Sequence, residues 1–337
     1  MARVPIRPII AATAAPRRNG DFTTAPRQRI VRASTVQARR MNPPAPAPDA
    51  PSQPTVALAL GAGGAKGLAH IGAIEELERQ GYRVTAIAGS SMGALIGGIY
   101  AMGKLPVYRD WVCTLARFDV LRLVDWTFRG GLIKGEKIIE TLRELIGDAR
   151  IEDLPLAYTA VATDIDRERE VWLTRGQLFD AIRASIAIPT IFRPHMLDGR
   201  RLVDGALLNP VPMTPLIRER ADYLLAVSLD GPTERPTPEQ DASATPEARP
   251  GWLGRLFARG EAPPRMHEPG ALELLTQAMD LMQSNLSRLR LAAYEPDLLV
   301  QIPRDAAAVW EFYRANELIE LGRARTREAL ARWRPRG

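Results

Sequence analysis

The sequence predicts an α/β fold built on a central, mostly parallel sheet with helices packed around it. Three observations carry that prediction: strand-turn-helix units occur twice in succession from residue 55, their strands are short continuous apolar runs, and their turns are glycine-rich. A strand that is apolar along its whole length is buried on both faces, as happens when helices cover a parallel sheet. With 337 residues and 46% apolar composition, the chain can bury one large core.

Residues 1–54 are rich in Ala, Pro and Arg and lack apolar periodicity, so they are expected to form a disordered basic arm. Met41 offers a second start site, from which the arm would be missing. Nine arginines and one acid, Asp21, give residues 1–40 a net charge of +8, leaving −2 of the total +6 for the rest. A basic arm on a nearly neutral body argues against a nucleic-acid groove. Cys113 is the single cysteine, which excludes an intrachain disulfide and a cysteine-rich metal site and fits a cytoplasmic location. No apolar run reaches the roughly 18–20 residues of a spanning helix. The apolar stretch from Ile9 to Ala15 makes a poor signal, because Arg17 and Arg18 follow it rather than precede it.

The first strand is expected over Val56 to Leu60. The turn Gly61 to Gly67 follows, then a helix with an apolar face of Leu68, Ile71, Ile74 and Leu77. The second unit has a strand from Val84 to Ala88, a turn from Gly89 to Gly93 and a helix from Ala94 to Met102. Ala157 to Thr163 and Val171 to Thr174 read as strands joined by the charged turn Asp166 to Arg169. Gln177 to Ile186 reads as a helix stopped by Pro189, Arg201 to Val203 as a short strand, and Tyr223 to Leu229 as a core strand. Residues 231–270, rich in Pro, Glu and Ala, read as a linker or insertion loop. Within it, Trp252, Leu253, Leu256 and Phe257 with Arg255 and Arg259 form either a short amphipathic membrane anchor or a loop packed on the body. From 271 to 337 a helical extension is expected to pack on the domain of residues 55–230, with a helix over Leu272 to Tyr294, a strand over Leu298 to Ile302 and a closing helix over Trp310 to Trp333.

Gly89-Ser90-Ser91-Met92-Gly93 fits G-x-S-x-G and lies between an apolar strand and a helix. That setting reads as a nucleophile elbow, a strained turn that lifts Ser91 above the sheet edge beside a helix N-terminus, with a plain glycine-rich turn as the alternative. Gly61 to Gly67 is neither of the common phosphate-binding loops. A P-loop needs Gly-Lys-Ser/Thr where Lys66-Gly67-Leu68 stands, and a dinucleotide fingerprint needs glycine at Lys66. It reads as a structural turn or as an oxyanion loop in which Gly63 and Gly64 present backbone N–H groups.

A serine nucleophile needs a base. His70, His195 and His267 are the only histidines, and none has a companion acid that compels a triad. Asp204, ending Leu202-Val203-Asp204-Gly205-Ala206, could sit at the same sheet edge as Ser91, with Asp164, Asp166, Asp198 and Asp230 as competitors.

Taken together, the glycine loop with Lys66-Gly67, the Gly89-x-Ser91-x-Gly93 elbow, the block Arg183-Ala184-Ser185 to Ile188-Pro189 with Phe192 and Pro194, and Asp204-Gly205-Ala206 resemble the bacterial patatin-like phospholipases in order and approximate spacing. The likeness covers about residues 55–230. It implies a three-layer α/β/α fold, a Ser91–Asp204 dyad without histidine, and hydrolysis of lipid acyl esters with no metal or cofactor. The implied partners are a lipid or acyl-ester substrate and, peripherally, a membrane surface. Ala62 departs from the family's usual glycine, so the oxyanion role carries over to Gly63 and Gly64. Two rival readings remain: an ordinary Ser-His-Asp esterase, and a catalytically silent lipid-binding protein of the same fold.

Overall fold

The computed structural model describes residues 53–122, 133–233 and 270–335. The expectations for the basic arm up to residue 52, for residues 234–269 with the Trp252–Phe257 segment, and for His267 lie outside the described residues.

Strand β1 (Thr55–Leu60) is buried along nearly its whole length, as its unbroken apolar run requires, and a short 3-10 turn, Gly64–Leu68, leads into α1 (Ala69–Arg79). The unit then repeats as β2 (Arg83–Ser90) and α2 (Met92–Ala101). Three helices, α3 (Leu105–Val112), α4 (Arg117–Arg122) and α5 (Glu136–Ile146), occupy a stretch where no element is expected. The antiparallel pair β3 (Ala157–Asp164) and β4 (Arg169–Leu173) precedes α6 (Leu178–Ser185), and β5 (His195–Leu197) pairs with β6 (Arg200–Asp204). Core strand β7 (Tyr223–Gly231), helix α7 (Ala271–Ala293), strand β8 (Leu298–Pro303) and helix α8 (Ala315–Arg332) complete the order. The last helix begins at Ala315 rather than Trp310, because Phe312–Arg314 form a separate 3-10 turn.

The eight strands form one sheet in the order β5-β6-β3-β2-β1-β7-β8, with β4 on β3 outside that path. The centre, β3-β2-β1-β7-β8, is parallel throughout. Strand β8 pairs with β7, so the C-terminal segment supplies an edge strand of the central sheet as well as helices. Leu68, Ile71, Ile74 and Leu77 are fully buried, consistent with their helical spacing. Helix α1 packs there on α8 at unusually close range. A Cβ on Gly72 would fall 1.9 Å from the Ile319 carbonyl oxygen, and one on Gly322 would fall 1.9 Å from that of Ala69. Ion pairs of Glu75 with Arg323 and of Glu76 with Arg327 flank the crossing.

Candidate active site

Register in the sheet brings the two key side chains together. Strand β3 has two edges, and β4 occupies one of them from Ala160 to Asp164. Its other edge is shared: β2 pairs along it as far as Ser90↔Val161, and β6 takes over at Asp204↔Ala162. The C-terminal ends of β2 and β6 therefore meet end to end, which places the residue after Ser90 beside Asp204.

Ser91 lies between the last residue of β2 and the first of α2, with φ 55 and ψ −123. A non-glycine residue in this region is strained by roughly 1–3 kcal/mol and needs its surroundings to hold it. The flanking glycines are required by space, since a Cβ on Gly89 would fall 2.3 Å from the Gly93 carbonyl and one on Gly93 would fall 2.0 Å from Leu60 O. Gly67 and Gly205 meet similar limits against Met92 Cβ and Val161 O. The Ser91 N–H donates to Ser185 Oγ at 3.0 Å, and the Ser185 hydroxyl donates to Val161 O at 2.6 Å. The hydroxyl of the neighbouring Ser90 is fully buried and donates to Asn209 O at 2.6 Å, which occupies it structurally.

Asp204 is buried, with 2% of its surface exposed. Its Oδ1 accepts the Ala206 N–H at 2.8 Å, and its own N–H donates to Ala187 O at 3.0 Å. Burial pushes its carboxyl up to about 7, and hydrogen bonding with the Ser91 hydroxyl and the Ala206 N–H pulls it back only in part. A carboxylate that titrates near neutrality and faces a serine hydroxyl can exchange a proton with it.

Both residues open into a cavity of about 490 Å³ that Gly63, Gly64, Lys66, Asp230, Asp280 and Arg304 also line. In the glycine loop the N–H of Gly61 is bonded to Val227 O, that of Ala62 to Pro210 O and that of Ala65 to Val309 O. The N–H groups of Gly63 and Gly64 have no such partner among the described residues. Lys66 lines the cavity wall, and its Nζ donates to Leu229 O at 3.0 Å and Arg304 O at 3.2 Å, tying the loop to the ends of β7 and β8. Burial lowers its pKa.

The described histidines sit elsewhere. His70 is fully buried on α1, its Nε2 2.8 Å from Gly61 O, and desolvation lowers its pKa to about 4. It supports the glycine loop from behind. His195, on β5, faces a separate cavity beside Arg143, Asp180 and Arg193. Among the competing acids, Asp164 is engaged by Arg167 at 2.9 Å, Asp166 pairs with Arg201, and Asp198 occupies the β5–β6 turn at φ 50. Asp230 does line the cavity, but its Oδ2 accepts the Ser287 hydroxyl at 2.7 Å. Among the described residues, no group of three or more His, Cys, Asp and Glu side chains is placed to hold a metal ion. No described helix is long and apolar enough to cross a membrane.

Sequence reasoning places Met92 and Ser185 within motifs but gives neither a role of its own. Met92 opens α2 directly after Ser91, and its Cβ would fall 2.3 Å from a Cβ on Gly67. Ser185 acts across 94 positions of sequence, a contact no local pattern reveals.

Residues 58–217 match the family model of patatin-like phospholipases. An NTE family protein of Mycobacterium tuberculosis (strain H37Rv) is 38% identical over 335 residues, covering 83% of this chain and 92% of the relative. The lysophospholipase nte1 of Emericella nidulans is 27% identical over 84% of this chain and 18% of that much longer protein. Among solved structures, VipD from Legionella pneumophila shows 14% identity and a TM-score of 0.42 over 84% of this chain and 67% of that one. The chain thus belongs to the NTE family, carries a patatin-like phospholipase domain over residues 58–217, and is a lipid acyl hydrolase.

Proposed function

We propose that the chain hydrolyses lipid acyl esters through a Ser91–Asp204 dyad and an acyl-enzyme. Ser91 Oγ attacks the ester carbonyl carbon while Asp204 takes its proton, and the N–H groups of Gly63 and Gly64 bind the oxyanion that forms. Collapse expels the alcohol, which recovers the proton from Asp204. Water, deprotonated in turn by Asp204, then attacks the acyl-enzyme carbonyl; the fatty acid leaves as the bond to Ser91 Oγ breaks, and Ser91 Oγ takes the proton back from Asp204. The observation that carries this reading is a buried carboxylate titrating near 7 against the hydroxyl of a strained elbow serine, with His70 and His195 outside the cavity.

In this reading the segment from residue 271 packs on the catalytic domain of residues 55–230 and also helps build its site, since α7 and Arg304 line the cavity. Contact with a lipid surface belongs to the same reading. Leu274, Leu275, Leu281 and Met282 are exposed on α7, and Leu281 also lines the cavity.

A fluorophosphonate probe with peptide mapping tests the nucleophile. Label should appear on Ser91 in the wild type and vanish in Ser91→Ala. Label on another residue, or none on an enzyme that turns over esters, would overturn the assignment.

A further inference from the structure

Ser91 opens onto two cavities of opposite character. The wide one holds Lys66, Asp230, Asp280 and Arg304. The second, of about 120 Å³, runs beneath α3 and α5 and is walled by apolar and aromatic side chains, among them Leu95, Tyr108, Trp111, Val112, Leu142 and Phe192. Gly64, Ser91, Ile188 and Val309 line both, so an ester carbonyl placed at Ser91 stands at their junction.

We propose that the apolar slot binds the fatty acyl chain of the substrate and sets which chain lengths are cleaved, while the charged cavity takes the alcohol moiety that leaves. The proposal rests on Ser91 being the nucleophile and adds a direction to the substrate. Its physical basis is asymmetry. A hydrocarbon chain in the charged cavity would strip water from two cations and two carboxylates and give nothing back. Among the described residues, a polar head group in the slot would find no charged side chain to pair with. An apolar cavity on the order of 100 Å³ stays dry and takes apolar ligands. Trp111, Leu115 and Val120 are half-buried residues of the slot's lining outside the sheet, so its volume can be changed there without opening the sheet.

The chain-length profile of the full-length enzyme tests this, with p-nitrophenyl esters from acetate to dodecanoate, which all share one leaving group. For the wild type kcat/KM should rise with length by up to about fourfold per methylene, the transfer value for one buried CH₂, and then level off once the slot is full. Leu115→Trp, which fills part of the slot, should lower the octanoate-to-acetate ratio of kcat/KM at least tenfold. Trp111→Ala, which enlarges it, should move the plateau to longer chains. Met279→Trp, in the charged cavity, should leave the ratio as it is. The proposal is overturned if both slot variants, folded by circular dichroism, keep the wild-type ratio, or if Met279→Trp shifts the profile instead. Failure of the underlying reading would look different: Ser91→Ala would still cleave acetate.

Discussion

Ser185 Oγ accepts the Ser91 N–H at 3.0 Å and passes a hydrogen bond on to Val161 O at 2.6 Å, so the strained elbow is held by a side chain from α6. The tether fixes where Ser91 Oγ points without touching substrate. Ser185→Ala leaves the Ser91 N–H buried and unpaired, at a cost of about 1–3 kcal/mol that the elbow can escape by shifting. The expected result is a kcat lowered roughly 10- to 100-fold with KM within about threefold, a shift of an ångström at a reacting atom being enough for such a loss. An unchanged kcat, or an effect confined to KM, would show that the tether does not position the nucleophile.

The pH–rate profile reports Asp204. In the proposed dyad Asp204 acts as the base in its ionised form, and burial pushes its carboxyl up to about 7. Activity on a soluble ester is therefore expected to be low at pH 5, to rise through an apparent pKa near 7 and to level off above it. A profile flat from pH 5 to 9 would mean that the carboxylate is not the titrating base.

The same burial makes Asp204 a liability for stability. Its folded pKa lies above its ordinary value, so the folded state binds a proton that the unfolded chain has released, and stability falls as pH rises through about 4 to 7. An asparagine avoids the buried charge and its Oδ1 can still accept the Ala206 N–H. Asp204→Asn should therefore raise Tm at pH 8, by an amount on the order of a few kcal/mol in unfolding free energy, and the difference should shrink toward pH 4. A mutant less stable than wild type at pH 8 would contradict this.

Helix α8 belongs to the core through its contact with α1. The Cβ added by Gly322→Ala would fall 1.9 Å from Ala69 O, which the helices can relieve only by separating. We expect a loss of about 1–3 kcal/mol in denaturant unfolding, typical of overpacking, with kcat in the folded fraction nearly unchanged. Unaltered stability would show that the two helices yield freely.

What the sequence discloses is local. The apolar run of β1, the alternation of strand, glycine turn and helix through Ala101, and the elbow at Ser91 are readable because each is fixed by neighbouring residues. Helix α5 carries Ile139, Leu142 and Ile146 at helical spacing but lies in a stretch where no element is expected, and α3 at eight residues and β5 at three are too short to show a period. The proximity of Asp204 to Ser91 is not local. It follows from β2 and β6 sharing one edge of β3, a register no periodicity encodes; the strand end before Gly205 makes Asp204 one candidate among several acids, and the likeness of the Asp204-Gly205 motif to a family selects it. Strand β8 is legible as a strand but not as a member of the central sheet, because its partner β7 lies 67 residues earlier, counting from Gly231 to Leu298.

The dyad is tested most directly by kcat on one soluble ester for Asp204→Asn, His70→Ala, His195→Ala and His267→Ala, each checked for folding by circular dichroism. The asparagine amide cannot take the Ser91 proton, so the Asp204 variant should lose on the order of 10⁴-fold, the size of effect seen when a catalytic carboxylate is removed with its geometry kept. Each histidine variant should stay within about tenfold of wild type, well short of the 10²–10⁴-fold contribution of a general base. A folded histidine variant that falls as far as Asp204→Asn would contradict the dyad and put a Ser-His-Asp triad in its place.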